Sequence, residues 1–334
     1  MILVTGAGGH LGNVLVRQIA AGGQQVRALL LPNEDASPLD GLDVQIVRGN
    51  ILNLDDLRAA CSDVDVIFHL AALVAITPGK QALMRQVNVQ GTANVIQIAR
   101  EAGVSRLVYT SSIHALQRPP MGTVIDERLE FDPLNPAGPY DRTKAEATLL
   151  VKKAVQEGLD AVIVCPTGVI GPYDFKRSEM GEMILSWMKN KPSISTDGGF
   201  DFVDVRDVAQ GHLLAAEKGR PGEVYILSGR FVQVNELRRM VQAAAGVHSF
   251  NMHIPTRLAR LAAPFAELYY EASRTRPCFT RYSIETLVSN SVISSEKANR
   301  ELHYHSRDLV STITETVDWW RTNLHQTKAS LRSG

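Results

Sequence analysis

The sequence predicts an α/β fold built on a doubly wound parallel sheet. Short runs rich in valine, isoleucine and leucine recur along the first half of the chain, without the polar alternation of a half-exposed strand. Amphipathic stretches with helical spacing separate these runs, and glycines follow several of them as stop signals. Strands and helices that alternate with right-handed crossovers give a parallel sheet with helices on both faces.

The predicted strands follow one another at residues 2–5, 25–31, 44–49, 64–71, 106–112 and 160–166. The predicted helices between them cover residues 11–19, 54–61, 81–102 and 139–157. After about residue 170 the pattern loosens, and prolines separate shorter elements. We therefore expect a first domain at 1–170 and a smaller, mixed lobe at 171–334. Part of this lobe, about 202–229, is expected to return to the first domain.

Composition limits the classes of function. The 334 residues are 45% hydrophobic, and Lys plus Arg equals Asp plus Glu at 35 each, so no basic excess points to nucleic acid or to a membrane surface. The chain opens in a strand pattern rather than a secretory signal. Cys61, Cys165 and Cys278 are far apart and odd in number, which favours reduced thiols in a cytoplasmic protein. No cluster has the spacing of a metal site.

Three glycines connect the first strand to the first helix in VTGAGGHLG (4–12). Gly6 permits a tight turn, Gly9 lets a pyrophosphate approach the backbone, and Gly12 lets the helix pack closely. The N–H groups at the start of the helix, at His10 and Leu11, then face the phosphates. A plain tight turn is the alternative, but the position between a strand and a helix favours dinucleotide binding.

Tyr140 and Lys144 stand four residues apart at the start of a predicted helix, in GPYDRTKAEA (138–147). A helix places both side chains on one face. This helix precedes the sixth strand, so its first turn lies near the carboxyl ends of the strands, where doubly wound sheets form active sites. An ammonium about 4 Å from a phenol favours the phenolate by roughly 4 kcal/mol, or about three pH units. We therefore expect Lys144 to lower the pKa of Tyr140 and make it an acid–base catalyst.

Two serines end the fifth strand in VYTSSIHAL (108–116). We expect Ser112 to hold the oxygen of the substrate and Ser111 to face the interior. A pair of serines that only satisfies a strand end is the alternative.

These motifs together resemble the extended short-chain dehydrogenase/reductase branch, the NAD-dependent epimerase/dehydratase family. The stretch VIVCPTGVIGPYD (162–174) is similar to dihydroflavonol-reductase-like and 3β-hydroxysteroid-dehydrogenase-like members. The resemblance implies a Rossmann domain and a smaller substrate-binding lobe. It implies catalytic roles for Ser112, Tyr140, Lys144 and Asn88, and a homodimer through the helices at 81–102 and 140–156.

The resemblance also implies a set of cofactor-binding residues. They are Gly6, Gly9, His10, Leu11, Gly12, Asn50, Ile51, Leu70, Ala71, Ala72, Tyr140, Lys144, Pro166 and Val169. The family's NADP users often carry arginine where Leu31 stands, and its NAD users carry aspartate where Leu30 stands. Neither residue is present. Glu34 and Asp35 would accept hydroxyl bonds from a ribose, which favours NAD over NADP, although both could be ordinary loop charges.

The substrate wall is expected from residues 73–81, from Val74, His114 and Tyr173, and from the second lobe. The predicted function is hydride transfer between NAD(P) and a ketone, aldehyde or secondary alcohol of a small molecule. One alternative is a nucleotide-sugar epimerase or dehydratase with tightly bound NAD. Another is a non-catalytic dinucleotide sensor, which the presence of Ser112, Tyr140 and Lys144 disfavours.

Overall fold

A parallel sheet of seven strands organises the first domain and confirms the predicted fold class. The computed structural model of the chain describes residues 1–74, 79–189, 191–273 and 280–324. From one edge to the other, the strands are β3 (Gln45–Arg48), β2 (Val26–Leu30), β1 (Ile2–Thr5), β4 (Val66–His69), β5 (Arg106–Thr110), β6 (Ala161–Pro166) and β10 (Val224–Leu227). Every neighbouring pair is parallel. The strand order reverses beside β1, so the crevice for a ligand opens there, at the carboxyl ends of β1 and β4.

Helices cover both faces of this sheet. They are α1 (His10–Ala21), α2 (Leu54–Ala60), α3 (Gln81–Arg85), α4 (Gly91–Glu101), α5 (Pro139–Gln156) and α7 (Val205–Lys218). Helix α4 packs against α2 and α5, whereas α1 packs against α7. A π-helical segment, Gln86–Gln90, joins α3 to α4, so the predicted helix at 81–102 is continuous. Short 3₁₀ turns lie at Ser37–Leu39 and Ile113–Ala115.

Alternating strand residues build the core on the two faces of the sheet. Leu3 and Ile67 belong to one hydrophobic cluster, while their neighbours Val4 and Phe68 belong to the other. All four side chains are essentially inaccessible to solvent. Burial on both faces explains why these strands read as continuous apolar runs rather than as alternating patterns.

The second half of the chain supplies smaller elements. A three-stranded sheet contains β7 (Gly168–Ile170), β9 (Gly199–Asp204) and β11 (Arg230–Gln233), and a two-stranded sheet contains β8 (Ser193–Thr196) and β12 (Asn251–Ile254). The remaining helices are α6 (Glu179–Trp187), α8 (Val234–Ala245), α9 (Thr256–Ser273), α10 (Arg281–Leu287), α11 (Glu296–Leu302) and α12 (Leu309–Asn323). Strand β10 pairs with β6 at one edge of the seven-stranded sheet. The expected return of residues 202–229 to the first domain stays a prediction. The domain boundary at residue 170 stays a prediction.

No helix in the described ranges combines the length and the apolar character needed to cross a membrane.

Candidate active site

The loop between β1 and α1 can be built only from glycine at two positions. Gly6 has a φ of +71°, and a Cβ there would lie 2.7 Å from the backbone nitrogen of Ala71. A Cβ at Gly12 would lie 2.1 Å from the carbonyl oxygen of Gly6. Because Gly12 lies so close to Gly6, the first turn of α1, with His10 and Leu11, packs directly against the loop. The loop therefore turns tightly into the first turn of α1, a geometry that fits a dinucleotide pyrophosphate.

The end of β4 forms the opposite side of the crevice. The backbone N–H of Leu70 donates to the carbonyl of Thr5 at 3.2 Å, and the N–H of Ala71 donates to the Thr5 hydroxyl at 3.2 Å. Ala72 follows as an exposed residue. The backbone of Leu70 and Ala71 lies directly against Gly6 of the glycine loop. The cofactor contacts that the resemblance implies for Leu70, Ala71 and Ala72 stay predictions.

A buried hydrogen-bond chain fixes His69 in one tautomer. The Thr92 hydroxyl donates to the carbonyl of Asn88 at 2.7 Å, so it accepts from Nε2 of His69 at 3.0 Å. The Thr5 hydroxyl accepts from Ala71 and therefore donates to Nδ1 of His69 at 2.7 Å. Burial, followed by the charge of Lys144, lowers the pKa of His69 to about 3. His69 is thus a neutral connector between β1, β4 and the π-helical segment.

Two neighbouring acids after β2 have different positions. The carboxylate of Glu34 accepts from the N–H of Leu31 at 2.8 Å and pairs with Lys176. A Cβ at Gly8 would lie only 2.3 Å from its Oε1, so this carboxylate covers the glycine loop. Asp35 instead accepts from the backbone and hydroxyl of Ser37. Only Glu34 of this pair touches the predicted cofactor loop.

Asn50 and Ile51 shape the turn after β3. The side-chain oxygen of Asn50 accepts from the N–H of Leu52 at 3.0 Å, and the N–H of Asn50 donates to Asp56 at 2.8 Å. Ile51 is buried, and a Cβ at Gly91 would lie 2.5 Å from its Cδ1. The Ile51 side chain is therefore core, so any cofactor contact there belongs to the backbone or to Asn50.

Ser112 and Tyr140 both belong to the carboxyl edge of the sheet. Ser112 is buried where the chain leaves β5, and Tyr140 is partly buried in the first turn of α5. Burial is the largest influence on Tyr140 and raises its pKa to about 12, against the opposing effect of the Ser112 hydroxyl. Ser111 lies 2.6 Å from the hydroxyl of Thr148 and faces the interior, as expected.

Lys144 is buried next to this pair, but it bonds elsewhere. Its Nζ donates to the carbonyl oxygen of Thr110 at 2.5 Å and lies 4.5 Å from the ring centroid of Tyr109. Burial lowers the pKa of Lys144 to about 7. Burial of the phenol is thus the largest influence on the pKa of Tyr140, and the expected lowering of this pKa by Lys144 stays a prediction.

Asn88 works through the backbone of the crevice. Its side-chain oxygen accepts from the N–H of Leu73 at 2.7 Å, and its amide donates to the carbonyl of Leu73 and to the hydroxyl of Thr143, both at 3.1 Å. The Thr143 hydroxyl in turn donates to the carbonyl of Tyr140 at 3.0 Å. Asn88 lies in the π-helical segment and is a positioning residue that joins the strand-end segment at Leu73 to the first turn of α5.

Comparison with known proteins adds to this geometry. The model of the NAD dependent epimerase/dehydratase family matches residues 2–228. The chain belongs to this family.

Two similar proteins cover nearly the whole chain. "Sterol demethylase protein B" of Methylococcus capsulatus is 35% identical over 96% of this chain and 98% of its own length. A Stigmatella aurantiaca protein named "4-hydroxy-2-methyl-3-oxo-4-farnesyl-3,4-dihydroquinoline-1-oxide ketoreductase" is 31% identical over 91% of each chain. The crystal structure of gox2253 is 31% identical, with a TM-score of 0.84 over 97% of this chain and 98% of that one. As a family member, the protein is an NAD(P)-dependent short-chain dehydrogenase/reductase enzyme.

The remaining cofactor candidates of this family member lie past β5. Pro166 ends β6 and is buried, and Val169 lies in β7, against the hydrophobic cluster that contains Val4. Both residues lie near the carboxyl edge of the sheet, as Ser112 does. Their role in cofactor binding stays a prediction.

The substrate candidates separate in space. His114 stacks on Phe200 with ring centroids 5.3 Å apart, and both line a cavity of about 50 Å³ together with Ile113, the residue after Ser112. Burial, followed by the charge of Arg118, lowers the pKa of His114 to about 4. Val74 is 59% exposed at the end of a described range. Residues 75–78, which belong to the predicted wall, lie outside the described residues.

Tyr173 lies in a different environment from His114. Its ring covers the guanidinium of Arg17 at 4.8 Å and contacts Trp319, with ring centroids 6.0 Å apart. Its carbonyl accepts from Asn13 of α1 at 3.1 Å. These contacts anchor the segment after β7 to α1, and they give the Tyr173 ring a packing role. Its predicted role in substrate binding has no support from them.

Sequence reasoning missed one group beside Tyr140. The side chain of Asp141 is fully buried, with its Oδ1 3.7 Å from Arg118 and 3.8 Å from His114. An acidic residue in the first turn of a helix is a usual feature, so its burial gave no signal. Among the residues that the structure describes, no group of three or more His, Cys, Asp or Glu side chains could hold a metal ion.

Proposed function

We propose that this enzyme transfers hydride between a nicotinamide cofactor and a ketone, aldehyde or secondary alcohol of a small organic molecule. Ser112 and Tyr140 carry the proposal, because the end of β5 and the first turn of α5 bring a hydroxyl and a phenol to the same carboxyl edge of the sheet. Lys144 lies one helical turn from Tyr140. The glycine loop at Gly6 and Gly12 fits the pyrophosphate of the cofactor.

Each member of the pair has a chemical task. The bound cofactor supplies or accepts the hydride. The Ser112 hydroxyl orients the reacting oxygen by a hydrogen bond, and Tyr140 donates its phenolic proton to that oxygen as reduction proceeds. With a pKa of about 12, Tyr140 is protonated at neutral pH, the state that reduction requires. We expect Lys144 to hold the cofactor ribose and to contribute positive charge near the phenol.

NAD is the proposed cofactor rather than NADP. The carboxylate of Glu34 lies over Gly8, and a carboxylate there accepts hydrogen bonds from ribose hydroxyls but repels a 2′-phosphate. This carboxylate also forms an ion pair with Lys176.

Reduction of a simple carbonyl is favoured over epimerisation of a nucleotide sugar. The cavity of about 50 Å³ that His114 and Phe200 line has the apolar side chains of Ile113, Leu116 and Ile125 in its wall, together with the cation Arg118. A sugar nucleotide would need a larger site, with more than one cation for its diphosphate. The name of the Stigmatella relative, a ketoreductase, supports the same choice.

Titration of the purified protein with NADH and with NADPH, followed by a panel of ketones, aldehydes and secondary alcohols, tests the proposal. We expect tighter binding of NADH and stoichiometric consumption of cofactor with at least one carbonyl class. Turnover of nucleotide sugars without net cofactor consumption would overturn the proposal in favour of an epimerase or dehydratase.

We extend the proposal to a cytoplasmic homodimer built through α3, α4 and α5. Leu83 of α3 and Leu149 of α5 are 48% and 40% exposed, and a second copy would cover them. Light scattering should give the mass of a dimer, and Leu83→Glu together with Leu149→Glu should give that of a monomer. Cell fractionation tests the location.

A further inference from the structure

Arg118 brings a positive charge into the wall of the cavity that His114 and Phe200 line. Its side chain is 30% exposed, so the guanidinium is accessible rather than sealed in the core. The wall around it is mostly apolar, with Ile113, Leu116, Pro119, Ile125 and Ile293. A guanidinium carries five N–H donors, so an oxygen atom of a ligand in this cavity meets a charged donor.

The donors of Arg118 are available to such a ligand. The closest carboxylate, that of the fully buried Asp141, lies 3.7 Å away, which is too far for a hydrogen bond. Within the described ranges, the guanidinium forms no hydrogen bond. Two other polar side chains of the wall differ from it, because the Ser289 hydroxyl and the Asn290 amide already donate to backbone carbonyl oxygens.

Hydrogen bonds connect this wall to Ser112. The N–H of His114 donates to Oγ of Ser112 at 3.2 Å. The buried amide of Asn135 donates to the carbonyl oxygens of His114 and Leu116 at 3.2 and 3.1 Å. One fixed segment therefore carries both the hydroxyl proposed for the reacting oxygen and the guanidinium of Arg118.

The buried carboxylate of Asp141 limits the charge of the group that Arg118 can bind. Burial is the largest influence on Asp141 and raises its pKa to about 6, so the carboxylate is mostly ionised at neutral pH and balances the charge of Arg118. A carboxylate on the ligand would add a second negative charge at this poorly solvated place. An uncharged oxygen accepts from the guanidinium without that repulsion.

We propose that Arg118 is a specificity-determining residue that binds a second, uncharged carbonyl oxygen of the substrate. The inference rests on the proposed oxidoreductase function and deepens it by naming the substrate class. The substrate is a carbonyl compound with a further ketone or ester oxygen and a short apolar part. Ser112 orients the reacting oxygen, and Arg118 binds the other.

Two probes that differ by one carbonyl oxygen, 2-heptanone and heptane-2,4-dione, test the proposal in Arg118→Met. We expect kcat/KM for the dione to fall at least about ten-fold more than for the monoketone, with most of the difference in KM. A purely structural role would lower both values equally. A probe that is not turned over is measured as a competitive inhibitor of the carbonyl found in the panel.

An anionic probe, 3-oxohexanoate, tests the charge of the bound group. Asp141→Asn removes the balancing charge, so kcat/KM for this anion should rise several-fold relative to 2-heptanone. Disturbed packing alone would not favour the anion.

Arg128→Met is the matched control, because Arg128 is 86% exposed and pairs with Asp126 at 2.6 Å, and it should behave as the wild type with every probe. If Arg118→Met does not fold, Arg118→Met combined with Asp141→Asn removes both charges. The double variant should show the same selective loss for the dione.

Equal losses for the two ketones, or a larger loss for 3-oxohexanoate than for the dione in Arg118→Met, would overturn the inference. Failure of the proposed function looks different. In that case no carbonyl of the panel consumes cofactor, or Tyr140→Phe retains full activity.

Discussion

Lys144 donates a hydrogen bond to the carbonyl oxygen of Thr110 at 2.5 Å, at the point where β5 ends. The ammonium is 3% exposed and lies above the ring of Tyr109. The side chain that follows Tyr140 by one helical turn is therefore fixed by the sheet. The hydrogen bond to Thr110 therefore fixes the position of the Lys144 ammonium at the end of β5.

Lys144→Met should reduce kcat/KM by about 100-fold or more, because it removes the cation placed for the cofactor ribose and the phenol. The affinity for NADH should fall in parallel, measured by fluorescence titration. Lys152→Met is the control, since Lys152 lies on the same helix with an exposed side chain and contacts Phe131. Equal kinetics for Lys144→Met and the control would remove Lys144 from the site.

The buried ammonium also predicts a pH dependence of stability. The pKa of Lys144 is lowered from 10.5 to about 7 in the folded state, so between these values unfolding takes up a proton. Raising the pH through this window therefore stabilises the wild type relative to Lys144→Met, by up to about 1.4 kcal/mol per pH unit. Denaturant unfolding of both proteins without cofactor, at pH 6.5, 8 and 9.5, measures the difference. Parallel curves would show that Lys144 keeps an ordinary pKa.

Tyr140→Phe should abolish turnover while NADH affinity changes by less than about two-fold, because the ring remains and only the proton donor is lost. Single-turnover absorbance and fluorescence titration measure the two quantities. Tyr109→Phe is a matched control: it keeps the ring next to Lys144 and should retain turnover. Activity in Tyr140→Phe would assign the proton to another group.

His69 should remain neutral, with its proton on Nε2, from pH 5 to pH 8. Its pKa is lowered to about 3 by burial, and the hydroxyls of Thr5 and Thr92 occupy both ring nitrogens. Nitrogen-15 NMR of the histidines should show this tautomer without titration in that range. His69→Leu should lower the free energy of unfolding by about 1–3 kcal/mol, since it leaves buried hydroxyls without partners. A His69 signal that titrates near pH 6.5 would contradict the hydrogen-bond chain.

Glu34→Gln should weaken the discrimination against NADPH. The carboxylate lies over Gly8, and its neutralisation removes repulsion of a 2′-phosphate. The preference for NADH, measured as the association constant of NADH divided by that of NADPH, should therefore fall about ten-fold. Asp35→Asn is the control, because Asp35 bonds to Ser37. An unchanged ratio in Glu34→Gln would show that the ribose lies elsewhere.

The parts of the site that depend on local sequence were predictable. The glycine spacing at Gly6 and Gly12 reflects clashes within one short loop, and the spacing of Tyr140 and Lys144 follows from helical periodicity. The six predicted strands match β1 to β6, because a strand buried on both faces must be apolar throughout.

The tertiary structure decided the electrostatics. Lys144 donates a hydrogen bond to the carbonyl oxygen of Thr110, which lies 34 positions earlier in the chain. Asp141 faces Tyr282 of α10, which lies much later in the chain. From the sequence, Glu34 and Asp35 were equally plausible acceptors for the ribose hydroxyls. In the structure, Glu34 is the one of the two that lies over the glycine loop. A pKa depends on burial and on charges brought together from distant segments, whereas a turn or a helical spacing depends only on neighbours along the chain. The sequence by itself therefore determined the fold and the spacing of the candidate site residues, and only the packing of β5 against α5 decided where the buried side chain of Lys144 bonds.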